Sequence, residues 1–125
     1  MRKAEMKGRL PDKFRKRTKR FAAGVLRLFV QLPKPQEEVR ILGRQRVRSG
    51  TSVAAHVRKA SRARSDDEFV SKLGGALQEA DESSLWLELL REECGVPAGL
   101  TEPLEKESLE LIAIFTTMIN RTKSR

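Results

Sequence analysis

Tyrosine is absent, and cysteine, histidine and tryptophan occur once each. The single Cys94 excludes an intrachain disulfide and any cysteine metal cluster. One thiol fits a reducing compartment, so a cytoplasmic location is expected. The single His56 excludes the paired Glu-x-x-His sets of di-iron helical proteins, and Val53, three residues before it, has no ligand atom. Long apolar runs are also missing. Residues 21–32 are broken by Gly24, Arg27 and Gln31, and residues 109–119 fall well short of the ~20 needed to span a bilayer. Neither a membrane span nor a targeting segment is expected. Gly74-Gly75 has no Lys-Ser/Thr after it, so it is not a phosphate loop. Cys94 follows Glu92 and Glu93, which work against a reactive thiolate. Glu79 and Glu82 share a helical face, as acids on most surface helices do, without a pocket to tune them. The expectation is a protein without catalytic residues, metal or cofactor, and not an enzyme.

What is present is helix-forming and cationic. Leu, Ala, Glu, Lys and Arg dominate a 125-residue chain, enough for one domain. The formal charge of +9 is unevenly spread: residues 1–64 hold 20 Lys and Arg against 4 Asp and Glu, and residues 65–125 hold 6 against 13. Such asymmetry fits a polyanionic partner, or one half neutralising the other within or between subunits.

Punctuation and periodicity divide the chain into a basic arm and four helices. Residues 1–11 are basic and poor in apolar side chains and read as a mobile arm. Residues 12–125 form the helical domain. A first helix over 13–32 carries Phe14, Phe21, Ala22, Val25, Leu28, Phe29 and Leu32 on its apolar side. Pro33 and Pro35 stop it. A second, over 36–60, turns Val39, Leu42, Gly43, Val47, Gly50, Val53, Ala54 and Val57 inward. Ser65 to Glu68 form a capping box that opens a third, over 66–93, with Phe69, Leu73, Ala76, Leu77, Ala80, Ser84, Leu87 and Leu90 inward. A fourth, over 102–120, starts at Thr101-Glu102-Pro103. Its second half is apolar on two sides, which suggests burial against another subunit. Four helices with short connections read as an antiparallel up-down-up-down four-helix bundle. Counting outward from a turn near Ala63 sets Gly50 opposite Gly75, and close helix packing would explain glycines inside helices, each of which costs about 1 kcal/mol.

Three segments resemble a known family. They are Arg48-Ser49-Gly50-Thr51-Ser52-Val53-Ala54-Ala55, then Asp67-x-Phe69-Val70-x-Lys72-Leu73, then Ala76-Leu77-x-Glu79-Ala80-Asp81-Glu82-Ser83-x-x-Trp86-Leu87-x-Leu89-Leu90. Over residues 36–119 the chain is similar to the four-helix-bundle proteins encoded in intervening sequences of 23S ribosomal RNA genes. Accessory proteins of diversity-generating retroelements are relatives of that family. The resemblance implies a left-handed antiparallel bundle assembled into a homopentameric ring, with nucleic-acid binding as the leading functional proposal. His56 stands where the family usually has Asn, Lys59 where it usually has Glu, and Leu85 where an aromatic usually precedes the tryptophan. The first two changes remove an amide and an acid and add basic character.

Two sets of candidate residues follow. For nucleic acid they are Arg15, Lys16, Arg17, Lys19 and Arg20 at the start of the first helix, with Arg40, Arg44, Arg48, Arg58 and Arg62 on the second. At about 100° per residue the latter five fall within an arc of about 80°. Clustered Lys and Arg are the electrostatic footprint of phosphate binding. The competing arrangement pairs the second-helix stripe with acids of the third helix or of a neighbouring subunit. For oligomer contacts the candidates are Leu85, Trp86, Leu89, Leu109, Ile114 and Met118. Trp86 is a base-stacking platform in principle, but beside Leu85 and Leu89 it reads as core or interface. The expected partners are further copies of the chain and nucleic acid bound with little sequence specificity. The alternative is an assembly or adaptor protein whose ring docks a protein partner.

Overall fold

The computed structural model describes residues 6–7, 9–32 and 37–124, with side chains over 9–32 and 47–124. Its class is all-α. Four helices account for nearly all of it: α1 Asp12–Gln31, α2 Glu37–Ser61, α3 Asp66–Glu93 and α4 Ala98–Lys123. A minimal antiparallel ladder precedes them, β1 Met6–Lys7 against β2 Leu10–Pro11.

Local chemistry sets the helix ends. Leu32 leaves α1 in an extended conformation (φ −67°, ψ 144°), as expected of a residue followed by proline. Ser65 caps α3, its Oγ accepting from the Glu68 N–H at 3.0 Å. The Glu68 carboxylate reaches back one residue beyond the usual target and accepts from the Arg64 N–H at 3.1 Å. Gly95 follows α3 with φ +70°, the left-handed conformation that glycine adopts without a Cβ penalty. The chain then folds back, so that the Val96 N–H meets the Leu90 carbonyl at 3.0 Å.

Two boundaries differ from the sequence expectation. Helix α4 starts at Ala98 rather than at residue 102, which places Pro103 inside it. The missing Pro103 N–H would have met the Gly99 carbonyl, and Gly99 is exposed, so water can take that acceptor. The basic arm also ends before residue 11. Arg9 and Leu10 are docked: the Arg9 N–H donates to Ser61 O at 2.9 Å, its Nε to Ala63 O at 3.1 Å, and its Nη1 to Asp66 Oδ1 at 2.5 Å. Leu10 is only 2% exposed and belongs to the core. A charge count over residues 1–11 overlooks this one large apolar side chain.

Helix α3 packs along both α2 and α4, and α1 lies on α2 and meets α4. The main core joins Leu10, Phe21 and Val25 to Val53, Val57, Ala60, Phe69, Leu73, Ala76, Ala80, Leu111 and Phe115. A second cluster of Leu28, Leu32, Leu87, Leu90 and Val96 gathers the last turns of α1 and α3. On α3 it is Ser83, not Ser84, that is fully buried, its Oγ donating to the Glu79 carbonyl at 2.8 Å.

The glycines do not face each other. A Cβ on Gly50 would stand 2.9 Å from Val25 Cγ2, so Gly50 admits α1 rather than α3. Gly75 instead receives the ring of His56. The step from Gly50 to His56 turns about 240° around α2, which puts the two residues on different sides of that helix. Counting from the turn finds the level at which helices meet but not the rotation of each about its axis.

Candidate functional site

The first turns of α1 and the last turns of α2 repeat one pattern, cations at i, i+1 and i+4. On α1 they are Arg15, Lys16 and Lys19, and at the end of α2 Arg58 and Lys59, with Arg62 in the turn just beyond. Residues at i and i+4 share a helical face, so the α1 trio projects from one side of its helix, and the turn after α2 keeps Arg62 on the same groove as Arg58 and Lys59. Between them Ala54 and Ala55 supply small side chains. The result is an open groove of about 920 Å³, floored by these alanines and extended by Arg64 and by Lys72 of α3. Among the described residues, eight cationic side chains and two carboxylates, Asp12 and Glu68, line it.

Both carboxylates are engaged within the fold. Asp12 pairs with Arg15 across one helical turn, and Glu68 caps the Arg64 N–H. Among the described residues no carboxylate comes within ion-pair distance of Lys16, Lys19, Arg58, Lys59, Arg62 or Lys72. The pairing of Arg58 and Arg62 with acids of α3 in the same chain is therefore not found. Arg9 braces the rim, since its bonds to Ser61, Ala63 and Asp66 cross the turn that carries Arg62 and Arg64.

Of the sequence candidates, the structure brings Arg15, Lys16, Lys19, Arg58 and Arg62 together. Arg17 faces away. It binds Glu107 through Nε and Nη2 at 2.7 and 2.8 Å, and Nη2 also reaches Glu110 at 2.9 Å. That bond to Glu107, more than any other contact, holds the Arg17 guanidinium protonated beyond its already high ordinary range. Arg17 is thus a tie between α1 and α4. Arg20 and Arg48 are exposed but do not line the groove, and the side chains of Arg40 and Arg44 lie outside the described residues. Lys59, Arg64 and Lys72 line the groove without having been singled out as candidates. For Lys59 the signal was there, a cation where the similar family usually has an acid. Arg64 and Lys72 join only through the α2–α3 turn.

The proposed contact residues divide as well. Leu85 and Leu109 are exposed, at 48% and 59%. Trp86 and Leu89 are half-buried, while Ile114 and Met118 are half-buried against the main core. Leu26 and Val30 on α1 are also exposed, Val30 at 75%. Around Leu85, Glu79, Asp81, Glu82 and Glu88 form a second, acidic concavity of about 590 Å³. Among the described residues no cluster of three or more His, Cys, Asp or Glu is placed to hold a metal ion, and no helix is long and apolar enough to cross a membrane.

The family model for the 23S rRNA-intervening sequence protein matches residues 13–117. The chain belongs to that family. The match takes in α1, which the resemblance over residues 36–119 leaves out. A crystal structure of a protein of unknown function from the S23 ribosomal protein family of Bacteroides thetaiotaomicron is similar. It shares 29% identity over 87% of this chain and 96% of its own, with a TM-score of 0.79. No curated protein matches the chain. Family membership thus carries the helical fold and leaves the ligand of the groove to be argued from its chemistry.

Proposed function

We propose that this protein is a non-enzymatic, cytoplasmic nucleic-acid-binding protein that uses the α1–α2 groove and reads little or no sequence. The observation that supports this is the convergence of eight cations from three helices and a turn on one open groove whose two acids are already occupied. Phosphate contacts of this kind supply affinity and register, whereas base-edge readers supply sequence. The test is fluorescence anisotropy with mixed-sequence RNA and DNA at about 50 mM salt, where screening is weak. Charge reversal of Lys16, Lys59 and Arg62 should weaken all sequences alike and flatten the salt dependence. An intact, folded protein that binds neither nucleic acid at that salt defeats the reading.

We further propose an antiparallel up-down-up-down bundle assembled into a homopentameric ring. Arg91 near the end of α3 grips Glu105 near the start of α4 at 2.9 and 3.0 Å, and α3 packs along α4, which supports an antiparallel pair. The exposed Leu85 and Leu109 supply unpartnered apolar surface. A ring would repeat the groove around one axis and multiply the local field. Light scattering after size exclusion should give about five chains, and a monomer at micromolar concentration would defeat assembly. The acidic concavity around Leu85 favours a second reading, an adaptor that docks a basic protein partner. Salt-insensitive capture of one protein, with no nucleic acid retained, would select it.

A further inference from the structure

The groove is as notable for the side chains it lacks as for those it has. Its lining consists of Arg, Lys, Ala and two engaged acids. Among the described residues that line it there is no aromatic ring and no Asn, Gln, Ser or Thr. Proteins that hold single strands stack the unpaired bases on aromatic faces set in a basic channel, and this groove offers no such face. Of the rings next to lining residues in sequence, Phe14 is half-buried with the Lys13 ammonium 5.2 Å from its centroid, and the His56 imidazole packs against Gly75. Phe21, Phe69 and Phe115 are in the core, and Trp86 is half-buried on α3, away from the groove. Unpaired bases would therefore enter a site with nothing to stack on.

Sugar and base recognition are equally unsupported. Telling RNA from DNA requires an acceptor or donor for the 2′-hydroxyl. Among the described residues the acceptor side chains in the lining are Asp12 and Glu68, held by Arg15 and by the Arg64 N–H, and the lysine and arginine donors serve phosphate oxygens as readily as a 2′-hydroxyl, so they do not select RNA. What remains is a cation trio on each wall, Arg15, Lys16 and Lys19 facing Arg58, Lys59 and Arg62 across Ala54 and Ala55. This arrangement matches a dense row of phosphates whose bases are turned away and paired with another strand. A duplex carries one charge per about 1.7 Å of axis and gains more from counterion release per phosphate than a single strand does.

We infer that the groove is a site for the sugar–phosphate backbone of a nucleic-acid duplex, DNA or RNA, gripped by the two cation trios without reading base or sugar. The inference rests on the nucleic-acid reading above and narrows it to paired strands.

The test is competition anisotropy with the full chain, using a DNA duplex, an RNA duplex and their component single strands, matched in phosphate number. Both duplexes should bind at least about tenfold more tightly than either single strand, in line with the missing stacking surface. Their log–log salt slope should approach about −5 if the groove's net excess of six cations is neutralised. Lys59→Gln with Arg62→Gln should lower duplex affinity and make the slope shallower by about 2, with an unchanged circular-dichroism melt. Single strands that bind as tightly as the duplexes overturn the inference while leaving nucleic-acid binding intact. So does inorganic polyphosphate that displaces the duplex charge for charge, since duplex geometry would then be irrelevant. Absence of binding by all probes defeats the broader reading instead.

Discussion

The imidazole of His56 lies over the backbone of Gly75. Its Nδ1–H donates to the Ser52 carbonyl at 2.8 Å, and that bond fixes the ring against α3. A Cβ at position 75 would stand 2.6 Å from Nε2, inside van der Waals contact. Gly74, one residue earlier, has open space where its Cβ would go.

These neighbours should respond oppositely to the same change. Gly74→Ala gains helix propensity and should stabilise by up to about 1 kcal/mol. Gly75→Ala gains the same propensity but must displace an anchored ring, so the net effect should be destabilising by about 1–3 kcal/mol. In a His56→Ala background the ring is gone, and Gly75→Ala should then stabilise. Urea unfolding of the four variants checks this as a double-mutant cycle. Independent, additive effects would show that the ring does not occupy that space.

The N-terminal segment gives a second prediction. Leu10 is 2% exposed within the main core, and Arg9 ties together Ser61, Ala63 and Asp66. Leu10→Ala should cost about 2–5 kcal/mol, and removal of residues 1–11 should cost at least as much. An unchanged thermal midpoint for both Leu10→Ala and the truncation would mean that Leu10 contributes nothing to the core.

The contrast between these sites explains what could be read from residue order. Helix periodicity is a local property, and it marks Phe21, Val25, Val53, Val57, Leu73, Ala76, Leu87 and Leu90, all of them buried. The Ser65 cap and the proline stop after Leu32 are local too. The excess of cations over residues 1–64 is likewise visible without a fold. Which cations share a groove is not. Arg15, Arg17 and Lys19 are near neighbours in sequence, yet helix rotation sends Arg17 to α4 and the other two to the groove. Rotation about the axis depends on every packed residue at once, and for the same reason counting from the turn does not reveal that Gly50 faces Val25. Docking of Leu10 is likewise non-local, since its core neighbours lie on all four helices.

A third prediction concerns acid. The Arg91 guanidinium holds the Glu105 carboxyl below the usual carboxylate range by a two-pronged hydrogen bond at 2.9 and 3.0 Å. A carboxylate whose folded pKa is depressed adds stability that is fully present above its unfolded pKa, about 4.3 for glutamate. That contribution fades as pH falls through the folded value. Glu105→Gln should therefore melt below the wild type at neutral pH, and the gap should close from about pH 4 downward. Melting curves across pH check the sign, and a gap that widens in acid would refute the assignment. The pair lies at the surface, so high salt should also shrink the gap.

Adjacent cations on α1 should separate stability from binding. Arg17 makes a two-pronged bond to Glu107 and a further one to Glu110, joining α1 to α4. Lys16, its neighbour, has no carboxylate within ion-pair distance among the described residues and lines the groove. Arg17→Gln should lower stability by about 1 kcal/mol, the upper end for a partly exposed pair of good geometry. It should leave the affinity of the folded protein for duplex nearly unchanged, because its charge is already neutralised by the two acids. Lys16→Gln should shift stability by no more than about 0.5 kcal/mol, while weakening duplex binding and reducing the salt slope by about 1. Both variants need only chemical unfolding and anisotropy at two salt concentrations. If Arg17→Gln weakened binding as much as Lys16→Gln did, affinity would follow the total positive charge of the chain. The groove would then have no special claim as the binding surface.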